Sequence, residues 1–157
     1  MGLRTKDRVN VGSEAPDFTL PSQSGEMMNL SDFLGRKPLV LFFYPKDDTP
    51  GCTEEVCTFR DEFEEFGKLD AEVVGISSDT VASHEKFVAK YDLPFTLLSD
   101  KGGKVRALYG VPSTLGLFPG RVTYVIDAEG VVRHVFSSQL GVERHVEEAL
   151  RALRSAR

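Results

Sequence analysis

Apolar residues follow two different patterns along the chain, which are short continuous runs and a repeat every three to four positions. The longest continuous apolar run is PLVLFFY at residues 38–44, and it predicts a central strand that is covered on both faces. Shorter apolar runs predict further strands at residues 71–76, 95–98, 121–126 and 131–136. Because the sequence DAEG between the last two is a turn signal, we expect those two strands to form a hairpin.

Helical periodicity fills the intervals between these strands. Apolar residues recur every three to four positions at residues 81–91, 104–109 and 142–153. This alternation predicts an α/β fold in which helices flank a central mixed β-sheet. An N-terminal β-hairpin is predicted within residues 15–30, and because no linker or repeat interrupts residues 1–157, a single domain is expected.

The composition narrows the classes of function. The chain has 157 residues, and its net charge of -5 arises from mixed acidic and basic residues without a long run of either sign. This pattern disfavours nucleic-acid binding and a polybasic membrane surface. No stretch approaches about 18 consecutive apolar residues, and residues 1–12 lack an apolar core of signal-peptide length. We therefore expect a cytoplasmic protein, with the plastid as the alternative if a transit peptide has been removed.

The two cysteines of the chain lie in one short segment, YPKDDTPGCTEEVCTFRDEF at residues 44–63. In a reducing compartment such a close pair is more often redox-active than structural. Thr49 and Pro50 match a helix start, with threonine as the cap and proline at the first helical position. Cys52 then falls in the first turn, where backbone N–H groups and the helix dipole favour a thiolate. The alternative is that Cys52 packs as a small hydrophobic residue.

The spacing of the two cysteines predicts that they cannot be bonded while the helix is intact. Helical geometry places Cys52 on one apolar stripe with Val56, Phe59, Phe63 and Phe66, whereas Cys57 lies about 140° away around the axis. The two Cα atoms would be about 8 to 9 Å apart, and a disulfide requires less than about 7 Å. A bond therefore requires the first turns to unwind, which indicates a reversible switch; the alternative is an incidental pair that never bonds.

The same segment resembles the peroxiredoxin family, and more closely its branch of bacterioferritin-comigratory proteins and peroxiredoxin Q. Pro45, Thr49 and Cys52 match the family pattern of a proline, three residues, a threonine, two residues and a cysteine. Cys57 matches the second cysteine of the branch. The resemblance continues through GSEAPDFTL, VVGISSD, FTLLSD, YGVP and PGRVTYVIDAEGVV, so it covers nearly the whole chain. It implies a thioredoxin-like fold, in agreement with the predicted order of elements.

The resemblance also implies roles for residues at the matching positions. Cys52 would be the peroxidatic nucleophile and Cys57 the resolving thiol. Thr49 would hydrogen-bond the attacking sulfur and the peroxide, while Pro45 would shield the site from water. From the residue pattern alone, Thr49 is equally well a plain helix cap and Pro45 the end of a strand.

Two charged residues complete the implied site. Arg121, in the segment PGRV, would lie beside the thiolate, and Glu55 would steady that arginine. The residue pattern alone points the other way for Arg121, because an isolated arginine at the start of an apolar strand usually projects to solvent.

The activity implied by the resemblance is that of an atypical 2-Cys peroxiredoxin, a thiol-dependent peroxidase in antioxidant defence and redox homeostasis. It would reduce hydrogen peroxide and organic hydroperoxides through a Cys52 sulfenic acid, which Cys57 resolves as an intramolecular disulfide. Thioredoxin or a similar dithiol would recycle the enzyme. Neither a metal nor an organic cofactor is required, and resolution within one chain is compatible with a monomer.

Two other functions remain open from the residues themselves. A thioredoxin-like disulfide reductase normally has two residues between its cysteines, whereas four separate Cys52 from Cys57. A redox-sensing or chaperone-like binding module would use the disulfide to change a surface for a partner. The three histidines, His84, His134 and His145, lack metal-ligand spacing and are expected to be surface or packing residues.

Overall fold

The computed structural model of the chain describes residues 9–35, 37–114 and 118–155. The strands are β1 (Thr19–Pro21), β2 (Met27–Asn29), β3 (Leu39–Phe43), β4 (Glu72–Ser77), β5 (Thr96–Ser99), β6 (Ser113–Thr114), β7 (Phe118–Pro119), β8 (Val122–Ile126) and β9 (Val132–Ser137). The helices are α1 (Leu30–Phe33), α2 (Pro50–Asp61), α3 (Phe63–Lys68), α4 (Val81–Tyr91), α5 (Lys104–Tyr109) and α6 (Glu143–Ser155).

A five-stranded mixed sheet forms the centre of the fold, with the strand order β5-β4-β3-β8-β9. Strands β3, β4 and β5 are parallel, and the long connections between them contain helices, as parallel pairing requires. Strand β8 runs antiparallel to β3, and β9 pairs with β8 as an antiparallel edge. The predicted mixed sheet and its late hairpin are therefore confirmed, as is the N-terminal hairpin, in which β1 pairs with β2.

Strand β3 supplies side chains to both hydrophobic cores because successive residues of a strand point to opposite faces. Leu39, Leu41 and Phe43 pack into one core with α1, α5 and the N-terminal hairpin. Val40 and Phe42 pack into the other, which contains the apolar faces of α2, α3, α4 and α6. All five residues of β3 are fully buried, as a strand covered on both faces requires.

Helix α2 starts directly after the loop that follows β3, and it carries both cysteines. The predicted apolar stripe is buried at Cys52, Val56 and Phe59, but the helix ends at Asp61, and Phe66 continues the buried surface from the separate helix α3. Within residues 9–35, 37–114 and 118–155, no helix combines the length and apolar character needed to cross a membrane.

Candidate active site

Cys52 lies in the first turn of α2 with its side chain almost completely buried, at 1% relative exposure. Pro50 occupies the beginning of the helix, as predicted, and the thiol packs in the same core as Val56 and Phe59. Its position at the positive end of the helix dipole favours an anion over a neutral thiol. Both cysteines are free thiols.

Thr49 is the residue that precedes α2, but its side chain does not cap the helix. Its backbone is extended, as at an N-cap, while its hydroxyl donates a hydrogen bond of 2.8 Å to the carbonyl oxygen of Lys46. The plain capping role is therefore wrong for this side chain. The hydroxyl oxygen keeps lone pairs that can accept a hydrogen bond from a ligand above the helix N-terminus.

Arg121 reaches the N-terminal turn of α2 from the start of β8. It is buried, contrary to what the apolar pattern alone indicates, and its Nη1 atom donates to the Oε1 atom of Glu55 at 2.6 Å. The guanidinium also interacts with the sulfur of Cys52. Burial opposes its charge, but Glu55 and Cys52 outweigh burial and raise the pKa of Arg121.

Two glycines allow this close approach of Arg121 to the helix. A Cβ atom on Gly51 would lie 3.1 Å from the Nη2 atom of Arg121, so the guanidinium occupies the space beside a residue without a side chain. A Cβ atom on Gly120 would lie 2.3 Å from the carbonyl oxygen of Pro112, which is not a tolerable contact. The turn before Arg121 therefore requires glycine at position 120, whereas a Cβ on Gly51 would require the guanidinium to move by a few tenths of an ångström.

Glu55 lies one turn after Cys52 and is completely buried. Burial raises its pKa to about 7, although the charge and hydrogen bond of Arg121 act in the opposite direction. Within the described part of the chain, the Oε2 atom of Glu55 and the Nε atom of Arg121 have no hydrogen-bond partner. A single short hydrogen bond, from the Nη1 atom of Arg121 to the Oε1 atom of Glu55, therefore joins the two side chains.

His145 lies behind Glu55 and was not expected in a polar site. Its ring is fully buried, and its Nδ1 atom is 2.8 Å from the hydroxyl of Thr123 and 3.8 Å from the Oε2 atom of Glu55. Its Nε2 atom is 2.8 Å from the carbonyl oxygen of Ser138. The sequence does contain a signal, because position 145 falls on the apolar face of α6, where a histidine must find partners.

Cys57 is half-buried and packs against the hydrophobic core that contains Cys52, Val56 and Phe59. Burial raises the pKa of its thiol, while Arg60 lowers it and Asp61 raises it. Because α2 is continuous from Pro50 to Asp61, the Cα atoms of the two cysteines are about 8 to 9 Å apart by helical geometry. The prediction that no disulfide forms across the intact helix agrees with the free thiols.

A second buried network fixes the loop between β3 and α2, where the half-buried Pro45 lies. Asp47 accepts hydrogen bonds from the hydroxyls of Tyr44 at 2.6 Å and Ser83 at 2.7 Å, and its Oδ2 atom is 2.7 Å from the Nδ1 atom of His84. Burial, followed by Asp47, raises the pKa of Tyr44. The loop is therefore tied to the first turns of α4.

This network also contains the carboxylate of Asp79, close enough to Asp47 and His84 for the three to hold a cation. Their polar atoms already have partners, however. Asp79 accepts from the backbone N–H of Asp47 at 2.8 Å and from the hydroxyl of Ser77 at 2.6 Å, and His84 donates to the carbonyl oxygen of Leu98 at 2.9 Å. We therefore interpret the cluster as structural.

Helix α4 contacts the chain on both sides of the cysteine segment. Ahead of α2, Asp48 accepts hydrogen bonds from Lys90 at 2.8 Å and from the hydroxyl of Tyr91 at 2.9 Å. Near the end of α2, Arg60 donates to the carbonyl oxygen of Tyr91 at 2.7 Å. The segment that would unwind during disulfide formation lies between these contacts.

The arrangement is suited to nucleophilic attack by sulfur. A buried thiol at a helix N-terminus lies beside a guanidinium, and a hydroxyl lies at the same end of the helix. The same donors can stabilise negative charge that develops on a leaving oxygen. Cys52, Thr49, Glu55 and Arg121 converge at this end of α2, and Pro45 lies in the adjoining loop.

Comparison with known proteins gives a consistent result. Residues 11–135 match the AhpC/TSA family. A chloroplastic peroxiredoxin Q of Oryza sativa subsp. japonica is 54% identical over 149 residues, which are 94% of this chain and 68% of the rice protein. The solved structure of peroxidoxin BcpB from Mycobacterium tuberculosis has a TM-score of 0.89 at 42% identity, covering 96% of this chain and 99% of that one.

A further solved structure is that of a similar protein whose reaction is named. The bacterioferritin comigratory protein of Xanthomonas campestris, described with an alkyl peroxide reduction activity, has a TM-score of 0.84 at 30% identity. The match covers 94% of this chain and 97% of that chain. The similarity therefore extends through both the sheet and the helix that carries the cysteines.

Proposed function

This chain belongs to the AhpC/TSA family and to its peroxiredoxin Q branch, it is a thiol-dependent peroxidase, and we propose that Cys52 is its peroxidatic thiol and Cys57 its resolving thiol. The single observation that carries this proposal is the interaction of the buried Cys52 sulfur with Arg121 at the N-terminus of α2. A thiol with a permanent cation beside it is favoured as the anion that peroxide chemistry needs.

In the first step the Cys52 thiolate attacks one oxygen of the peroxide. A sulfur–oxygen bond forms while the oxygen–oxygen bond breaks, so Cys52 becomes a sulfenic acid and the other oxygen leaves as hydroxide or alkoxide and takes up a proton. Arg121 donates hydrogen bonds to the oxygens as charge moves onto them, and Thr49 can join it once its hydroxyl proton turns away from the carbonyl oxygen of Lys46. Glu55 holds Arg121 in place, and Pro45 shields the site from water.

In the second step Cys57 attacks the sulfenic acid of Cys52. The disulfide forms, water is released, and the first turns of α2 must unwind to bring the two sulfurs together. Unwinding removes the burial that raises the pKa of Cys57, so the resolving thiol ionises more readily in the unwound segment. The loss of helical hydrogen bonds and buried contacts costs a few kcal/mol, which is recovered when the disulfide is reduced.

The reaction requires peroxide as oxidant and a thiol as reductant. We propose thioredoxin or a similar dithiol as that reductant, since two electrons must be returned to the disulfide in each cycle. The alkyl peroxide activity described for the Xanthomonas relative supports organic hydroperoxides as substrates beside hydrogen peroxide. The proposed disulfide lies within one chain, so a monomer is sufficient for the cycle.

The compartment must keep dithiols reduced. The cytoplasm meets this requirement, and so does the plastid, for which the chloroplastic peroxiredoxin Q relatives are evidence. We propose one of these two reducing compartments.

A thioredoxin-coupled assay of peroxide consumption tests the assignment of the two thiols. Wild-type protein should turn over continuously, Cys52→Ser should not turn over, and Cys57→Ser should consume one equivalent of peroxide and then stop recycling. Sustained turnover by Cys52→Ser would overturn the nucleophile assignment, and equal thioredoxin-driven rates for Cys57→Ser would overturn the resolving role.

An insulin-reduction assay run in parallel separates the alternative functions. A disulfide reductase would reduce insulin without consuming peroxide. A binding module would do neither, although its disulfide would still form reversibly.

A further inference from the structure

A buried carboxylate oxygen without a donor is unusual and calls for an explanation. The Oε2 atom of Glu55 is such an atom within the described part of the chain, and His145 is the imidazole that faces it, with Nδ1 at 3.8 Å. A protonated Nδ1 would be the natural donor to this oxygen. The partners of His145 decide whether that proton is present.

The hydrogen bonds of His145 place its ring proton on Nε2, the nitrogen that faces Ser138, and not on Nδ1, which faces Glu55. The carbonyl oxygen of Ser138 can only accept, so the Nε2 atom must carry the proton that it donates across 2.8 Å. Burial, together with the positive charges of Arg121 and Arg144, lowers the pKa of His145 to about 4, so the ring is neutral near pH 7. Its Nδ1 atom therefore accepts from the Thr123 hydroxyl, 2.8 Å away, and has no proton to offer Glu55.

We propose that His145, held by Thr123 and Ser138, is a positioning residue of the peroxidatic site, which keeps donors away from the second oxygen of Glu55. The carboxyl group then has Arg121 as its hydrogen-bond partner, and its anionic form is only weakly stabilised. This inference rests on the proposed role of Cys52 as the peroxidatic thiol.

The consequence for Cys52 follows from the charges around it. Arg121 contacts two acidic groups, the Glu55 carboxyl and the Cys52 thiol, and its one positive charge cannot fully compensate both. Because Glu55 lacks a second donor and is fully buried, it accepts a proton more readily than an ordinary carboxylate. When Glu55 is protonated, the positive charge of Arg121 is available to stabilise the Cys52 thiolate.

The charged and titratable groups that face His145 come from three elements. Glu55 approaches from α2, Arg121 from the start of β8, and Arg144 is its neighbour on α6, while Phe136 of β9 covers the ring without a charge. Of these groups, Glu55 is the one that titrates near neutral pH. A change at His145 should therefore be transmitted to Cys52 through Glu55 and Arg121.

The test measures the pH dependence of Cys52 oxidation by hydrogen peroxide, in a Cys57→Ser background so that a single event is observed. Thr123→Val keeps the shape of the side chain but removes the donor from Nδ1, so the free lone pair of that atom faces the Oε2 atom of Glu55 and favours the protonated carboxyl group. His145→Ala opens space in which water can reach the same oxygen. Water at this oxygen stabilises the Glu55 carboxylate, so His145→Ala should move the midpoint of the pH profile upward by about one unit, with roughly tenfold slower oxidation below the midpoint. Thr123→Val should not move the midpoint upward.

A third variant distinguishes positioning from general damage to the fold. His145→Phe fills the same space without a hydrogen-bond donor, so it should restore the wild-type midpoint relative to His145→Ala even if its melting temperature is lower. The matched control is His134→Ala, because His134 contacts Glu148 of α6 on the outside of the site and should leave the profile unchanged.

Two results would overturn the inference while the peroxidase assignment stands. One is a wild-type midpoint in His145→Ala or an upward shift in Thr123→Val, and the other is an equal upward shift in His145→Phe and His145→Ala. If instead the Cys57→Ser protein itself showed no oxidation of Cys52 by peroxide, the proposed function would fail first. Melting curves for each variant identify any loss of folding.

Discussion

The Nη1 atom of Arg121 lies 2.6 Å from the Oε1 atom of Glu55, although the two residues are 66 positions apart and both side chains are buried. The pair links β8 to α2 immediately beneath Cys52. Removal of one partner from a buried pair leaves the other uncompensated, so this contact matters for stability as well as for reactivity.

The first prediction concerns the pH dependence of stability. The pKa of Glu55 is raised from 4.5 to about 7 in the folded protein, so between these values the folded state binds more protons than the unfolded state. The contribution of Glu55 to the free energy of unfolding is therefore full below about pH 4.5 and lost as the pH rises through 7. The loss should be about 3 kcal/mol.

The titration of His145 changes the free energy of unfolding in the opposite direction over part of the same pH range. Its pKa is lowered from 6.5 to about 4, so the stability it contributes is present above pH 6.5 and lost as the pH falls through 4. Urea unfolding of wild-type and Glu55→Gln proteins from pH 4 to 8 separates the two groups, since both proteins keep His145. A difference between them that stays constant with pH would contradict a raised pKa for Glu55.

The second prediction compares two neighbouring aspartates in the loop before α2. Asp47→Asn should destabilise the protein by about 3 to 5 kcal/mol, because a buried carboxylate with three partners is replaced by an amide that cannot satisfy them all. Asp48→Asn should destabilise the protein far less than Asp47→Asn, since the contact of Asp48 with Lys90 is exposed. Chemical denaturation measures both, and equal effects would show that the buried network is not important for stability.

The third prediction concerns the space beside Arg121. Gly51→Ala should favour the helical conformation by up to about 1 kcal/mol, yet it should slow peroxide reduction roughly tenfold because the new Cβ displaces the guanidinium. Gly67→Ala in α3 is the matched control, because a Cβ there has no atom within 4 Å. Single-turnover oxidation of Cys52 is the measurement, and an unchanged rate in Gly51→Ala would show that Arg121 tolerates the shift.

The fourth prediction concerns the oxidised protein. Formation of the Cys52–Cys57 disulfide should accelerate amide hydrogen exchange at residues 49–60 and leave α4 protected, because the contacts of Asp48 and Arg60 with α4 bound the unwound segment. Hydrogen exchange of the reduced and oxidised forms measures this directly. Equal protection of α2 in both forms would contradict local unwinding.

Most of the sheet and the main helices were predictable because their signals are local. The apolar run of β3 and the periodicity of α4 and α6 are visible in consecutive residues, and the observed bounds differ from the predicted ones by at most two residues. The position of the break between α2 and α3 was not predicted, since the apolar stripe continues through Phe63 and Phe66 across that break.

The polar interior was harder to predict because its partners are distant in the chain. The apolar pattern directs Arg121 to solvent, and only the resemblance to a family placed it beside Cys52. Glu55, His84 and His145 each occupy the apolar face of a helix, which indicates burial but does not reveal the partner. The pairing of His145 with Thr123 depends on how α6 crosses β8, and no short segment contains that information.

Helix α4 has one more effect on the catalytic cycle. In the proposed cycle Asp48 and Arg60 stay attached to α4, so the segment between them has fixed ends when it unwinds and the chain entropy lost on refolding is correspondingly small. Helix formation over such a length takes on the order of a microsecond once the constraint of the disulfide is removed. Turnover is then governed by thiol chemistry and by encounters with the reductant, while the enzyme returns to its competent shape without delay.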